Sequence, residues 1–232
     1  MGWALGDGYT GEKERRMARW GMVIDLARCV GCYACMIAYK EEHFLPPGVF
    51  WGRLLVTETG KYPRVRKVSI PVLCNHCEEA VCVKVCPTGA SARRKDGVVT
   101  VDSHKCEGCR CCVVACPYQQ RTYLREKNKE YFPAQGLTEF ERIGQILYPH
   151  EARSVTKCNF CAERIDDGIR KGLKPGLDRE ATPACVNMCM VKARRFGDLG
   201  DPDDPVSVLI RERKAHPLRP ELGSKPSVYY ID

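Results

Sequence analysis

Short apolar runs separated by polar and glycine-containing intervals mark out the regular elements of this chain. Gly21-Met22-Val23-Ile24-Asp25-Leu26 is almost continuously apolar and predicts a strand leading into a cysteine-bearing loop. Val65 to Val72 alternates in part, is rich in β-branched residues and predicts a second strand. Gly97-Val98-Val99-Thr100-Val101-Asp102 predicts a third. Short helices are expected after the cysteine loops, near residues 34–43, 110–116 and 160–171. Pro205 to Lys214 reads as a surface helix with Pro205 in its first turn. Residues 124–153 mix polar and aromatic side chains without a clear period, so an inserted loop region is expected there. No apolar run approaches the roughly 20 residues of a membrane span, and no transmembrane segment is expected. Arg15-Arg16 is followed by no apolar stretch, so a twin-arginine export signal is not expected either.

The cysteines change the picture. All sixteen fall into four groups: 29/32/35, 74/77/82/86, 106/109/111/112/116 and 158/161/185/189. The middle two read Cys74-x2-Cys77-x4-Cys82-x3-Cys86-Pro87 and Cys106-x2-Cys109-x2-Cys112-x3-Cys116-Pro117. The second of these is the bacterial ferredoxin run. Three closely spaced thiolates hold one iron–sulfur cube, and the fourth, before proline, reaches the neighbouring cube. The motifs therefore point to an electron carrier. Cysteines two residues apart are poorly placed to bond each other, and soft thiolates suit iron, which sets a disulfide scaffold aside. Zinc takes four ligands per site and has no need of a triplet repeated at every third residue. No nucleotide fingerprint, P-loop or nucleophile–histidine arrangement is recognisable, so catalysis by this chain alone is unsupported.

With 232 residues, 44% of them hydrophobic, the chain is long enough for a real core in one large domain or two small ones. Its net charge of +8 suggests nucleic acid only at first sight. Each oxidised cluster with its thiolates adds about −2, so four clusters bring the total to roughly zero. Arg93-Arg94-Lys95 and Lys192-Ala193-Arg194-Arg195 are read as compensating charge or as solvated loops, and no nucleic-acid partner is expected.

The outer groups follow the same pattern with departures. Cys29-x2-Cys32-x2-Cys35 opens a ferredoxin run whose fourth place falls on Tyr39. Cys158-x2-Cys161-x23-Cys185-x3-Cys189 is the run with a long insertion before its third cysteine. Group two pairs with group three, and group one most simply with group four. The fold class expected is α+β: two nested bacterial-ferredoxin-like modules with inserted loops and a C-terminal extension. Residues 1–20 form an N-terminal extension, 21–73 with 150–200 the outer module, and 74–123 the inner module. Residues 124–149 are an insertion and 201–232 a docking helix and tail.

Several segments together resemble the four-cluster ferredoxin-type subunits of the molybdopterin oxidoreductase (dimethyl sulfoxide reductase) superfamily. They are Met22-Val23-Ile24-Asp25, Leu73-Cys74-Asn75-His76-Cys77, Cys82-Val83-Lys84-Val85-Cys86-Pro87-Thr88-Gly89-Ala90, Lys157-Cys158-Asn159-Phe160-Cys161, Pro183-Ala184-Cys185 and Phe196-Gly197-Asp198-Leu199. The likeness covers about residues 21–213. It implies four sites. Cys29, Cys32, Cys35 and Cys189 would hold the first cluster, nearest a catalytic partner. Cys158, Cys161 and Cys185 would hold the second, with Tyr39 in the fourth place. Cys74, Cys77, Cys82 and Cys116 would hold the third, and Cys106, Cys109, Cys112 and Cys86 the fourth. Three [4Fe-4S] clusters are expected with one atypical centre, either [3Fe-4S] or [4Fe-4S] with a non-cysteine ligand.

Tyr39 is either an oxygen ligand or a core aromatic beside an incomplete site, and His43 is a third candidate, read rather as solvent-facing. Cys111, one residue out of step, is read as a small buried hydrophobe. His76 is read as a hydrogen-bonding loop residue. Lys192, Arg194 and Arg195 would raise the potential of the nearby cluster, because cations favour its more negative reduced state. The implied function is electron relay between a molybdopterin (Mo or W) catalytic subunit and an external or membrane quinone-linked partner. A free polyferredoxin carrier is the alternative, favoured less because the C-terminal extension reads as docking material. Clusters are assembled in the cytoplasm, and the complex is expected at a membrane, through an anchor subunit or beside a soluble carrier.

Overall fold

The computed structural model describes residues 17–125, 130–132 and 134–232. Arg15-Arg16, most of the N-terminal extension and five positions of the insertion lie outside the described residues. Strand β1 (Trp20–Asp25) enters the first cysteine loop and helix α1 (Ala34–Glu42) leaves it. A long hairpin follows, β2 (Gly52–Lys61) against β3 (Arg64–Leu73), and delivers the chain to Cys74. Next come α2 (Val81–Lys84), the paired β4 (Ser91–Arg93) and β5 (Val99–Val101), α3 (Cys111–Ala115) and β6 (Thr122–Tyr123). Helix α4 (Glu139–Leu147) precedes β7 (Val155–Thr156), which pairs with β6. The chain continues through α5 (Ala162–Arg170), α6 (Ala184–Asn187) and β8 (Arg194–Asp198). It closes with α7 (Pro205–Glu212), β9 (His216–Pro217) and β10 (Val228–Ile231).

The core is built on a four-stranded sheet of order β8-β1-β10-β9. β1 is central, antiparallel to β8 (Met22 opposite Phe196) and parallel to β10 (Met22 opposite Val228). Its residues from Trp20 to Ile24 are all buried, which explains why the sequence there is continuously apolar rather than alternating. Met22, Ile24, Met36, Tyr39, Leu73, Phe160, Phe196 and Tyr230 join one hydrophobic core around this sheet. The predicted strands and helices appear at β1, β3, β5, α1, α3, α5 and α7, and the architecture is α+β and ferredoxin-like.

Two expectations are corrected. The segment 201–232 is not simply docking material, because β10 lies inside the sheet with Val228, Tyr230 and Ile231 buried. Tyr230 Oη donates to the Pro71 carbonyl at 3.0 Å, and Val206 of α7 packs with Val23 and Ile231. The extension completes the core, so its presence does not separate a subunit from a free carrier. The region 124–153, expected as loop, contains α4. Thr138 and Glu141 form a capping box: the Glu141 N–H donates to Thr138 Oγ1 at 3.2 Å and the Thr138 N–H to Glu141 Oε2 at 2.8 Å. That signature, Thr-x-x-Glu before a helix, stood in the sequence and was obscured by the polar residues around it. The Phe44 and Phe140 rings, 4.8 Å apart, fasten α4 to the chain after α1.

Candidate metal centres

All four cysteine runs turn in the same way. The residue before the second cysteine is left-handed in each: Gly31 (φ 68°), His76 (44°), Gly108 (69°) and Phe160 (58°). Glycine takes this conformation freely, whereas a residue with a Cβ is held there at roughly 1–2 kcal/mol. The two bulky cases compensate through each other. The rings of His76 and Phe160 stack with centroids 3.8 Å apart, joining the second run to the fourth. His76 also accepts the Val99 N–H on Nδ1 at 3.0 Å, in keeping with its reading as a hydrogen-bonding loop residue.

Several buried thiols feel thiols from other segments of the chain. Burial raises the pKa of Cys35, Arg194 opposes the rise, and Cys185, Cys29 and Cys189 add to it. Cys32 is exposed on the same loop, and the Ala193 N–H donates to Cys189 Sγ at 3.2 Å. For the third group, burial pushes the Cys77 thiol up to about 12, with Cys74, Cys82 and Cys116 as its thiol neighbours. These four line one small cavity with Tyr118 and Arg121. For the fourth group, burial raises Cys112 against the pull of Arg121, with Cys106 and Cys86 adjacent. Cys86 Sγ accepts the Ser91 N–H at 3.4 Å.

The second group is the most enclosed. Cys158, Cys161 and Cys185 are each 2% exposed. Burial pushes Cys158 up to about 12 and Cys161 well above its ordinary value, and the Cys185 thiol adds to both. Tyr39 is 1% exposed beside this trio, and its Oη accepts a hydrogen bond from Arg194 Nη1 at 3.0 Å. Gly52 makes room for the ring, since a Cβ there would stand 2.7 Å from Tyr39 Cε2. His43 is not solvent-facing. It is 1% exposed, with Nε2 3.3 Å from Cys161 Sγ and its ring packed on Trp51 and Tyr148. One turn beyond Tyr39, on the C-cap of α1, it follows that residue into the core. Burial holds its pKa near 3, so the imidazole is neutral, with Nε2 turned to the sulfur.

Cys111 corrects another expectation. It is exposed at the start of α3 beside Cys109, not buried. Of the basic runs, Arg94 is paired with Asp96 at 2.8 Å and Asp166 at 2.5 Å, so it is a structural ion pair. Arg194 alone of its run turns fully inward, while Lys192 is exposed and Arg195 half-buried.

The groups form a succession. Cys35 and Cys185 join the first to the second across Arg194. Cys158 feels Cys74, joining the second to the third. Cys82 and Cys112 join the third to the fourth across Arg121. Lys157, 4% exposed, influences both Cys158 and Cys82 but spends its protons on the Val99 and Cys158 carbonyls.

An anionic cofactor fits this interior. Arg121 is 5% exposed, and its Nε and Nη2 reach no oxygen or nitrogen acceptor among the described residues but face the Cys82 and Cys112 thiols. A buried cation with orphaned donors is unfavourable unless a counter-charge accompanies it. Iron–sulfur clusters held by deprotonated cysteines supply that charge, and loading them releases the protons that burial otherwise retains.

Comparison with known proteins agrees with this geometry. Residues 65–136 match the 4Fe-4S dicluster domain family. The chain is 38% identical to the arsenate respiratory reductase iron–sulfur subunit of a Shewanella species, over 92% of this chain and 96% of that one. It is 37% identical to one of the sulfite dehydrogenase subunits of Allochromatium vinosum, over 93% and 83%. One of the selenate reductase subunits of Mesobacillus selenatarsenatis is 36% identical, over 92% and 72%.

Proposed function

The chain belongs to the iron–sulfur electron-transfer subunits of the molybdopterin oxidoreductases, and on that premise we propose that it relays electrons between a molybdopterin-containing catalytic subunit and an external or membrane quinone-linked partner. What supports the reading is the Arg194 guanidinium set between the Cys35 and Cys185 thiols, together with the match of residues 65–136 to the 4Fe-4S dicluster domain family. When bound, each cluster supplies a one-electron couple.

The residues of this chain hold, order and tune. Cys29, Cys32, Cys35 and Cys189 hold the first site. Cys158, Cys161 and Cys185 hold the second, which is the atypical one. Cys74, Cys77, Cys82 and Cys116 hold the third, and Cys106, Cys109, Cys112 and Cys86 the fourth. At the second site Tyr39 packs rather than ligates: its ring fills the space beside Gly52, and its oxygen is engaged by Arg194. The burial of the second group keeps water from an interior step of the relay. The relay suits either direction, and the relatives include both reductases and a dehydrogenase.

No helix among the described residues is long and apolar enough to cross a membrane, and we assign membrane attachment to a partner. Affinity purification from gently lysed membranes tests the reading. A large molybdopterin protein should co-purify, and substrate turnover should reduce or oxidise the clusters of this chain. Recovery of this chain loaded but alone, exchanging electrons with soluble enzymes, would replace the reading by that of a free polyferredoxin. Turnover of a substrate by the isolated chain with a dye would overturn both.

A further inference from the structure

Two arginines occupy matching places in the two cysteine modules. Arg121 follows Cys116 by five residues, and Arg194 follows Cys189 by five. Both are buried, at 5% and 2% exposure. Arg194 Nη2 lies 3.4 Å from Cys35 Sγ, and its Nη1 lies 3.6 Å from Cys185 Sγ and 3.0 Å from Tyr39 Oη. One guanidinium thus touches a thiol of the first group and a thiol of the second. Arg121 stands in the same relation to the third and fourth groups. Its guanidinium is turned to the thiols of Cys82 and Cys112 and lines one small cavity with Cys74, Cys77, Cys82 and Cys116. Its Nη1 is anchored on Ser91 Oγ at 2.8 Å, which leaves Nε and Nη2 for the sulfur side.

We propose that Arg194 and Arg121 are shared positioning residues of the relay, each raising the reduction potentials of both clusters in its module together. The inference rests on the ligand assignment above. A guanidinium is permanently charged and its donors lie in a fixed plane, so it can face two sulfur sites at once. Each cluster becomes more negative when reduced, and a cation in a poorly solvated interior stabilises that state. A cation beside one cluster alone would deepen that site and trap the electron there. Placed between two, it lifts both and offsets the repulsion between electrons on neighbouring sites. Lys157 makes an internal contrast, because its ammonium is turned to carbonyls rather than sulfur.

The experiment uses the full-length, cluster-loaded protein in four variants: Arg194→Met, Arg194→Lys, Arg121→Met and Arg121→Lys. Iron and sulfide are assayed, and every cluster is followed by spin resonance during a redox titration. In Arg194→Met, the reduction equilibrium constants of the first and second sites should each fall by about tenfold or more, about 59 mV for one electron, while the other pair holds. Arg121→Met should do the reverse. Unchanged potentials at full iron content, a shift at one site of a pair only, or equal shifts at all four would overturn the proposal. If a Met variant loses iron, the Lys variant decides. Its point charge should retain both clusters and move their two potentials apart, whereas iron loss there too, or potentials that stay level, makes the arginine a scaffold residue and ends the proposal. A native protein without four cluster signals would instead refute the ligand assignment, a result that iron analysis separates from the others.

Discussion

The second and fourth sites, Cys158-x2-Cys161-x23-Cys185 and Cys106-x2-Cys109-x2-Cys112, stand in opposite surroundings. Cys158, Cys161 and Cys185 are sealed inside the core, with Tyr39 and His43 packed against them. In the fourth group Cys109 is exposed, the spare Cys111 is exposed beside it, and Val114 of α3 is 87% exposed. A buried site receives its donors from distant segments, while an exposed one depends mainly on its own loop. Electrons enter and leave at accessible sites, whereas interior sites pass them on. The first group, with Cys32, Val30, Tyr33 and Ile37 exposed, is the other accessible end.

The largest effect should come from breaking the buried site. Cys158→Ala is expected to remove the second cluster, about three or four irons per chain, and to interrupt transfer between the two ends. Cys109→Ala should cost the fourth cluster but leave the second intact. Iron analysis with spin resonance on both variants checks the contrast, and loss of both clusters in either variant would show that the two sites are not independent.

Tyr39→Cys comes next. It supplies the missing thiolate, and we expect an ordinary four-iron cube at the second site with a lower potential and no oxidised-state spin signal. Tyr39→Phe should preserve the cluster type, because the ring fills the space beside Gly52, though Arg194 Nη1 loses its oxygen partner. Disappearance of the cluster in Tyr39→Phe would make the phenolate a ligand after all.

A smaller shift is expected from His43→Leu, which removes the Nε2 contact with Cys161 without leaving a buried polar atom. The second-site potential should fall by about 20–40 mV, corresponding to roughly 0.5–1 kcal/mol for one hydrogen bond, with the fourth unmoved. A redox titration of both sites reads this directly. Thr138→Ala should touch neither site, lowering stability in a denaturant titration by about 1 kcal/mol through loss of the α4 cap. Cys111→Ser should change neither iron content nor any potential, and an altered fourth-site signal would bring Cys111 into the ligand set.

The cysteine runs and the family likeness were legible because ligand spacing is a local property of the chain. Three to four residues decide whether thiolates can share a cluster, and tertiary packing is not needed to see it. The strands β1, β3 and β5 were legible for a similar reason, since burial demands apolar residues at neighbouring positions. The partner strand β2 was not anticipated. Of its ten residues only Gly52 is buried, so solvent leaves it little pattern. Helix α4 was hidden because its cap, Thr138 with Glu141, stands among other polar residues. The burial of His43 was hidden because its neighbours Trp51, Tyr148 and Cys161 come from elsewhere in the chain.

By itself, the sequence determined that soft-metal clusters are the chemistry of this protein, and that one run lacks its last thiolate at Tyr39. Only the tertiary structure decided what stands between the sites. Tyr39 and Arg194 are 155 positions apart, and nothing local in Lys192-Ala193-Arg194-Arg195 says which charge will turn inward. Pairing of β8 with β1 decides it. That pairing carries Arg194 to the interior beside Cys35 and Cys185, where a charge is tolerable only among the anionic groups it serves.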